Sequence, residues 1–149
     1  MICDSEGFMY PRIDESKCMQ CHKCINVCAF KKDLLIRDNK MPLKSLIAFH
    51  NDEQVRMLSR SGGVFVAISD LIIKKGGVVY GATITSEFKV RHECAETRLC
   101  RDAFCGSKYV QSDTVQTFKD IAGHLRGNRK VLFSGTCLLY TSDAADDLT

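Results

Sequence analysis

The sequence has no long run of any one character, and each absence narrows the options. No apolar stretch reaches the ~18 residues that a membrane-spanning helix needs. No block of Lys and Arg occurs, and 21 basic against 18 acidic residues leave a net charge of only +3. Nucleic acid is therefore not an expected partner. The segment Met1 to Tyr10 holds two acids and no base, so it does not read as a secretory signal. Proline is scarce, with Pro11 and Pro42 alone. There is no internal repeat and no low-complexity stretch. Neither G-x-G-x-x-G nor G-K-[ST] is present, so the two best-defined phosphate-binding fingerprints are missing.

Cysteine is what the chain has in excess. There are nine, and four of them fall in the run Cys18-Met19-Gln20-Cys21-His22-Lys23-Cys24-Ile25-Asn26-Val27-Cys28. That packing is too tight for a disulfide framework with ordinary loops. In a reducing compartment, the cytoplasm, clustered thiols mean metal or redox chemistry. The spacing C-x2-C-x2-C-x3-C suits a 4Fe-4S cluster, since three close thiolates on a turning loop wrap one corner of a cubane. Cys28 then either completes that cluster or serves a second one. A zinc site would pair two knuckles a dozen or more residues apart, and no second knuckle is present. Cys3, Cys94, Cys100, Cys105 and Cys137 are scattered and read as small buried residues or incidental thiols. His22, His50, His92 and His124 read as surface or packing residues, and no residue stands out as a proton donor.

Two parts follow from the pattern. Residues 1–43 are turn-rich and Cys-rich, with too few large apolar residues for a core of their own, so metal would supply folding energy. From Ser45 onward strands and helices alternate, which predicts an α/β layer with a mixed or largely parallel sheet. Expected elements are a strand over Leu46–His50 and a helix capped by Asp52 through Ser59. A buried helix follows over Val64–Lys75, with Val64, Phe65, Ile68, Leu71 and Ile72 on one face, stopped by Gly76-Gly77. Val78–Ile84 reads as the central strand and Phe88–Cys94 as its neighbour. A short helix spans about Glu96–Phe104, and Asp113 caps an amphipathic helix ended by Gly127. Val131–Phe133 is a short strand.

Three turns at element boundaries are candidates for binding phosphate or a nucleotide. Ser61-Gly62-Gly63 opens a helix, where free N–H groups and the helix dipole favour an anion. Ser134-Gly135-Thr136 follows a strand, where open α/β sheets bind ligands. Between them, Gly106 to Ser112 carries Lys108, Tyr109 and two hydroxyls. Singly, each turn reads first as a plain cap or turn. Beside an iron–sulfur module they gain weight, because a flavin is the usual converter between one-electron and hydride chemistry.

Taken together, Ser61-Gly62-Gly63-Val64-Phe65, Lys75-Gly76-Gly77-Val78-Val79-Tyr80-Gly81-Ala82, Gly106-Ser107-Lys108-Tyr109-Val110-Gln111-Ser112 and Val131-Leu132-Phe133-Ser134-Gly135-Thr136 resemble the coenzyme F420 hydrogenase/dehydrogenase β-subunit family. The upstream cysteine run fits, as does Glu6-Gly7-Phe8-Met9-Tyr10-Pro11, which is like the link between two ferredoxin motifs in bacterial members. The resemblance spans about Cys3 to Thr136. It implies a ferredoxin-like module followed by a flavin-binding α/β domain. It further implies an iron–sulfur flavoprotein that binds FAD and passes electrons between clusters and a flavin or deazaflavin. Archaeal members reduce coenzyme F420, a candidate substrate here. Many bacterial members sit in polysaccharide-biosynthesis settings. By resemblance, Ser61, Gly62, Gly63, Lys108, Tyr109, Ser134, Gly135 and Thr136 would line the flavin site, and Cys18, Cys21, Cys24 and Cys28 would hold iron. Partners would be a redox protein or hydrogenase/dehydrogenase subunits.

The chain departs from the family pattern at two places. The first cysteine motif is missing upstream, and residues 137–149 match nothing in the family. The expectation is a fragment: residues 1–43 as the remaining ferredoxin-like module, 44–136 as the N-terminal part of the flavin domain, and 137–149 as an artefactual tail. Rival expectations are a ferredoxin-like electron carrier without flavin and a zinc-binding interaction module.

Overall fold

Valine and tyrosine dominate Val78-Val79-Tyr80, and these three side chains are almost wholly shielded from water. They lie on the central strand of a sheet, as β-branched and aromatic residues tend to. In the computed structural model, residues 2–26 and 44–135 are described. The expectations for Cys28, Thr136 and residues 137–149 fall outside them. Residues 2–26 belong to one unit and Lys44–Ser134 form another.

In the first unit, β1 (Ile2–Cys3) pairs antiparallel with β2 (Met9–Tyr10). Asp4 makes the turn: its carboxylate accepts from the amides of Glu6 and Phe8, at 2.9 and 2.8 Å. The short helix α1 covers Lys23–Asn26. Every described residue from Ile2 to Asn26 is exposed, so none of these residues sits in a buried core.

The second unit runs α2 (Glu53–Ser59), α3 (Val64–Lys74), β3 (Val78–Ile84), β4 (Val90–Ala95), α4 (Arg98–Asp102), α5 (Thr117–Arg126) and β5 (Val131–Phe133). The sheet order is β4-β3-β5. β4 runs antiparallel to β3, with Ala82 opposite His92, and β5 runs parallel to it, with Tyr80 opposite Phe133. The sheet is therefore mixed. A largely parallel sheet is corrected by the tight turn joining β3 to β4, which leaves no room for a crossover. The core gathers Val78, Tyr80 and Ile121, with Phe118, Val131 and Phe133 packed against it. Gly81 is required by packing: a Cβ there would sit 2.7 Å from the Phe104 ring.

Several local expectations hold. Asp52 caps α2 by accepting from the Gln54 amide at 2.8 Å, and α3 ends at Lys74 ahead of Gly76-Gly77. Others are corrected. Leu46–His50 forms no strand: its backbone has no strand partner, and Ile47 is 98% exposed. The buried stripe of α3 is centred on Val66 and Ser69, while Val64, Ile68 and Leu71 face outward. Asp113 does not cap α5. Its backbone bridges to β4, donating to Val90 O and accepting from the His92 amide, each at 3.0 Å, so the helix starts only at Thr117.

α4 is fastened to α3 by a buried arginine. Arg101 is 3% exposed; its guanidinium donates to Val66 O at 3.0 Å, to Ser69 Oγ, and to Asp102 Oδ1 at 2.9 Å. It also forms an ion pair with Asp70 Oδ1 at 2.9 Å, without a hydrogen bond to that oxygen. Arg98 holds the other Asp70 oxygen at 3.1 Å.

The β3–β4 turn has a bulky residue where glycine is usual. Thr85 N–H donates to Lys89 O at 2.8 Å and Phe88 N–H to Thr85 O at 2.9 Å. This leaves Phe88 left-handed (φ 58) and 90% exposed. A non-glycine residue there costs roughly 1–2 kcal/mol, partly offset because glycine has more chain entropy to lose. Phe88→Gly is therefore expected to stabilise the fold by about 1 kcal/mol, read as a rise of a few degrees in Tm. An unchanged or lower Tm would show that the turn carries no such strain.

Candidate functional site

The cysteine loop is shaped by two left-handed residues. Gln20 (φ 55) and His22 (φ 58) flank Cys21, so the chain turns on both sides of that thiol. The His22 carbonyl then accepts from the amides of Ile25 and Asn26, both at 3.0 Å, starting α1 around Cys24. Cys18, Cys21 and Cys24 are all free and exposed. Turns of this kind point successive N–H groups toward one side, an arrangement common around anions and iron–sulfur sites. The donors fit a cluster in kind: soft thiolates, on one loop, with no competing disulfide among the described residues. As they stand, no three Cys, His, Asp or Glu side chains among the described residues gather round one point able to hold a metal ion. Cys28, the fourth expected ligand, lies outside those residues. His22 is exposed, as its place between Cys21 and Cys24 in the run predicts.

The residues expected at a flavin lie in three stretches of the chain. Gly62 and Gly63 have packing reasons to be glycine. A Cβ on Gly62 would meet Ala48 O at 3.1 Å; one on Gly63, which is left-handed (φ 74), would meet His50 Cβ at 2.9 Å. Gly62 O also accepts from the His50 amide at 2.6 Å. Ser61 precedes them, exposed. Yet Gly63 is the N-cap of α3 and supplies no side chain to the helix start, which fits a phosphate bound on the first-turn amides.

Lys108 is already occupied. Its Nζ donates to Ala103 O and Cys105 O, both at 3.0 Å, closing the end of α4. Burial lowers its amine below the usual lysine value, with the nearby Cys105 thiol opposing. Tyr109 beside it is 95% exposed. A cavity of about 320 Å³ lies at the β3–β4 turn, lined by Thr85, Ser86, Glu87, Lys89, Val90, Arg91 and Asp113. None of the residues expected at the flavin lines it.

Ser134 is tied by both backbone groups: its amide donates to Tyr80 O at 2.9 Å and its carbonyl accepts from His92 Nε2 at 3.0 Å. Gly135 follows, exposed. His92 is the residue that sequence reasoning undervalued. It is buried, its Nδ1 lies 2.7 Å from Ser112 Oγ, and its ring stacks on Phe133 with centroids 4.9 Å apart. Its place amid the alternation of β4 gave a signal for burial, but nothing local could reveal partners 20 and 42 residues away.

Of the two readings for the scattered thiols, small buried residue or incidental thiol, exposure removes the first for those described. Cys3, Cys94 and Cys100 are exposed and Cys105 is half-buried, so they are not small core residues. Burial pushes the Cys105 thiol up, opposed by the charges of Arg101 and Lys108. Burial likewise raises the Tyr80 phenol, which faces Cys94.

Fold and site together describe an α+β chain: a mixed three-stranded sheet with helices, and an antiparallel hairpin preceding a thiol-bearing loop. No helix among the described residues is long and apolar enough to cross a membrane. No family model, curated protein or solved structure matches the chain.

Proposed function

We propose that this chain belongs to an iron–sulfur flavoprotein oxidoreductase of the coenzyme F420 hydrogenase/dehydrogenase β-subunit type. It would pass electrons between a 4Fe-4S cluster and FAD and on to coenzyme F420 or another redox acceptor. The observation that carries this reading is the C-x2-C-x2-C-x3-C run, with three free, exposed thiols on one turning loop. When bound, the cluster supplies one-electron transfer and the flavin couples it to hydride chemistry. The chain's own part is to hold and orient. Cys18, Cys21, Cys24 and Cys28 ligate iron. The uncapped start of α3 behind Ser61-Gly62-Gly63 receives a phosphate. Lys108, Tyr109 and Ser134-Gly135-Thr136 would complete the flavin's surroundings. The setting is the cytoplasm, where thiols stay reduced, with a redox protein or hydrogenase/dehydrogenase subunits as partners.

A second reading, a ferredoxin-like carrier without flavin, is favoured by one observation: the Lys108 amine is spent on two backbone carbonyls. Anaerobic purification with iron and sulfide separates the two. Resolved flavin bands over the broad iron–sulfur shoulder near ~400 nm support the enzyme, and the shoulder alone supports the carrier. Stoichiometric zinc with no iron would sink both.

A further inference from the structure

Two of the three turns singled out in the sequence end on the same imidazole. Ser112 closes the 106–112 loop and Ser134 opens the turn after β5. His92 of β4 meets Ser112 Oγ at 2.7 Å and Ser134 O at 3.0 Å. A carbonyl can only accept, so Nε2 carries the proton and Nδ1 accepts from the Ser112 hydroxyl. The neutral ring thus satisfies both contacts in a single tautomer. Phe133 stacks on its face, and Thr117 Oγ1 of α5 donates to His92 O at 3.3 Å. Asp113, next to Ser112, bridges by its backbone to Val90 and His92. Four segments are pinned at one buried residue.

We propose that His92 is the positioning residue of this site: it locks the Ser112 end of the 106–112 loop and the Ser134 turn to β4 in one fixed arrangement. Its role toward FAD rests on the flavin reading above, whereas the lock itself does not. His92 touches no ligand in this scheme. It acts by denying the loop and the turn independent movement, so a ligand contacting both meets them already in place.

The lock also responds to pH, and the sign follows from its surroundings. Charged groups on the packed elements do not compensate a cation here. Arg91 and Glu93, on the other face of β4, pair with each other at 2.5 Å. The Asp113 carboxylate accepts from the Val115 amide at 2.9 Å. β3 offers Ala82, β5 offers Phe133 and α5 offers Thr117. Burial therefore holds the imidazole below its usual value of 6.5, with the Ser134 carbonyl opposing weakly. The unfolded chain takes up a proton that the folded chain refuses, so the contribution is intact above about 6.5 and is lost as pH falls below it.

The test compares the whole chain with His92→Phe, His92→Gln and Ser112→Ala. Phenylalanine keeps the stack on Phe133 and removes both bonds; glutamine can still donate to Ser134 O. In His92→Phe, amide exchange at Ser134 and across 106–112 should quicken at least about tenfold while α3 is unchanged, and the Kd for FAD should rise at least about tenfold. In His92→Gln and Ser112→Ala, both milder if phenylalanine prevents folding, the loop should loosen and Ser134 should not. Between pH 7 and 5.5, protection at both segments, corrected for intrinsic exchange, should fall in the natural chain and stay level in His92→Gln. Exchange within about twofold of the natural chain in all three variants, or equal pH slopes, would overturn the lock. Tenfold faster exchange in a chain whose natural form binds no FAD would sustain the lock and defeat the flavin reading.

Discussion

Replacing Cys21 with serine is expected to strip the chain of iron and to leave its first 26 residues without stable structure. Cys21 sits between two left-handed residues, Gln20 and His22, and every described residue of this unit is exposed. With no buried residue among those described, the hairpin and the short helix have little core to hold them, and on the proposed reading ligation would supply their order. Serine keeps the size but offers a hard oxygen that stays protonated, a poor donor to an iron–sulfur core. Iron content should drop below about a tenth of the natural chain's, and the absorbance near ~400 nm should vanish with it. Amide exchange over residues 2–26 should approach the unprotected rate, while Lys44–Ser134 melts as before. Cys94→Ser and Cys100→Ser serve as controls, since both thiols belong to the other unit, and they should retain full iron. A Cys21→Ser protein that keeps its iron would remove this loop from the proposal.

The second large effect is expected at Arg101. Arg101→Ala would leave the half-buried Asp70 carboxylate with Arg98 alone and Val66 O with only the Ser69 hydroxyl as its side-chain donor. Deleting a large buried side chain together with its charge-assisted hydrogen bonds costs about 3–5 kcal/mol. Against a typical total of about 5–15 kcal/mol this is a large share of the fold's stability, and Tm should fall by at least about 12 °C. Arg101→Lys should recover only part of the loss, because one ammonium cannot reach three directions as a guanidinium fork does. Asp70→Asn should cost about 1 kcal/mol, since Asp70 is 28% exposed and its pairs are partly screened. Urea melts followed by circular dichroism measure all three. A loss under about 1 kcal/mol for Arg101→Ala would show that α3 and α4 are held together mainly by apolar contact.

Much of the second unit was legible in the sequence, because local chemistry decided it. Asp52 had an amide to cap, Gly76-Gly77 could not continue a helix, and Val78–Ile84 was too rich in β-branched residues for anything but a strand. The failures share one cause, which is a partner distant in sequence. Leu46–His50 had strand composition but no strand to pair with. Asp113 had the right side chain for a cap, yet β4 claimed its backbone. The outward face of α3 showed helical periodicity, but periodicity does not say which stripe a sheet will cover. At the candidate site, the thiol spacing was plain from the sequence. The occupation of Lys108 and the junction at His92 were not, because both depend on where a loop ends up in space.

The mixed pairing of β3 has a consequence for the order in which the unit assembles. β4 joins β3 through a short turn, so that pair forms at small cost in chain entropy. β5 pairs with the same strand about fifty residues later, with Val131 opposite Val78, and must close a long loop to do so. Strand β5 and Ser134 after it are therefore expected to pair after the β3–β4 hairpin has formed. The Tyr80 and Ser134 backbones can meet only at that closing step, so the junction at His92 is completed when the rest of the sheet is already in place.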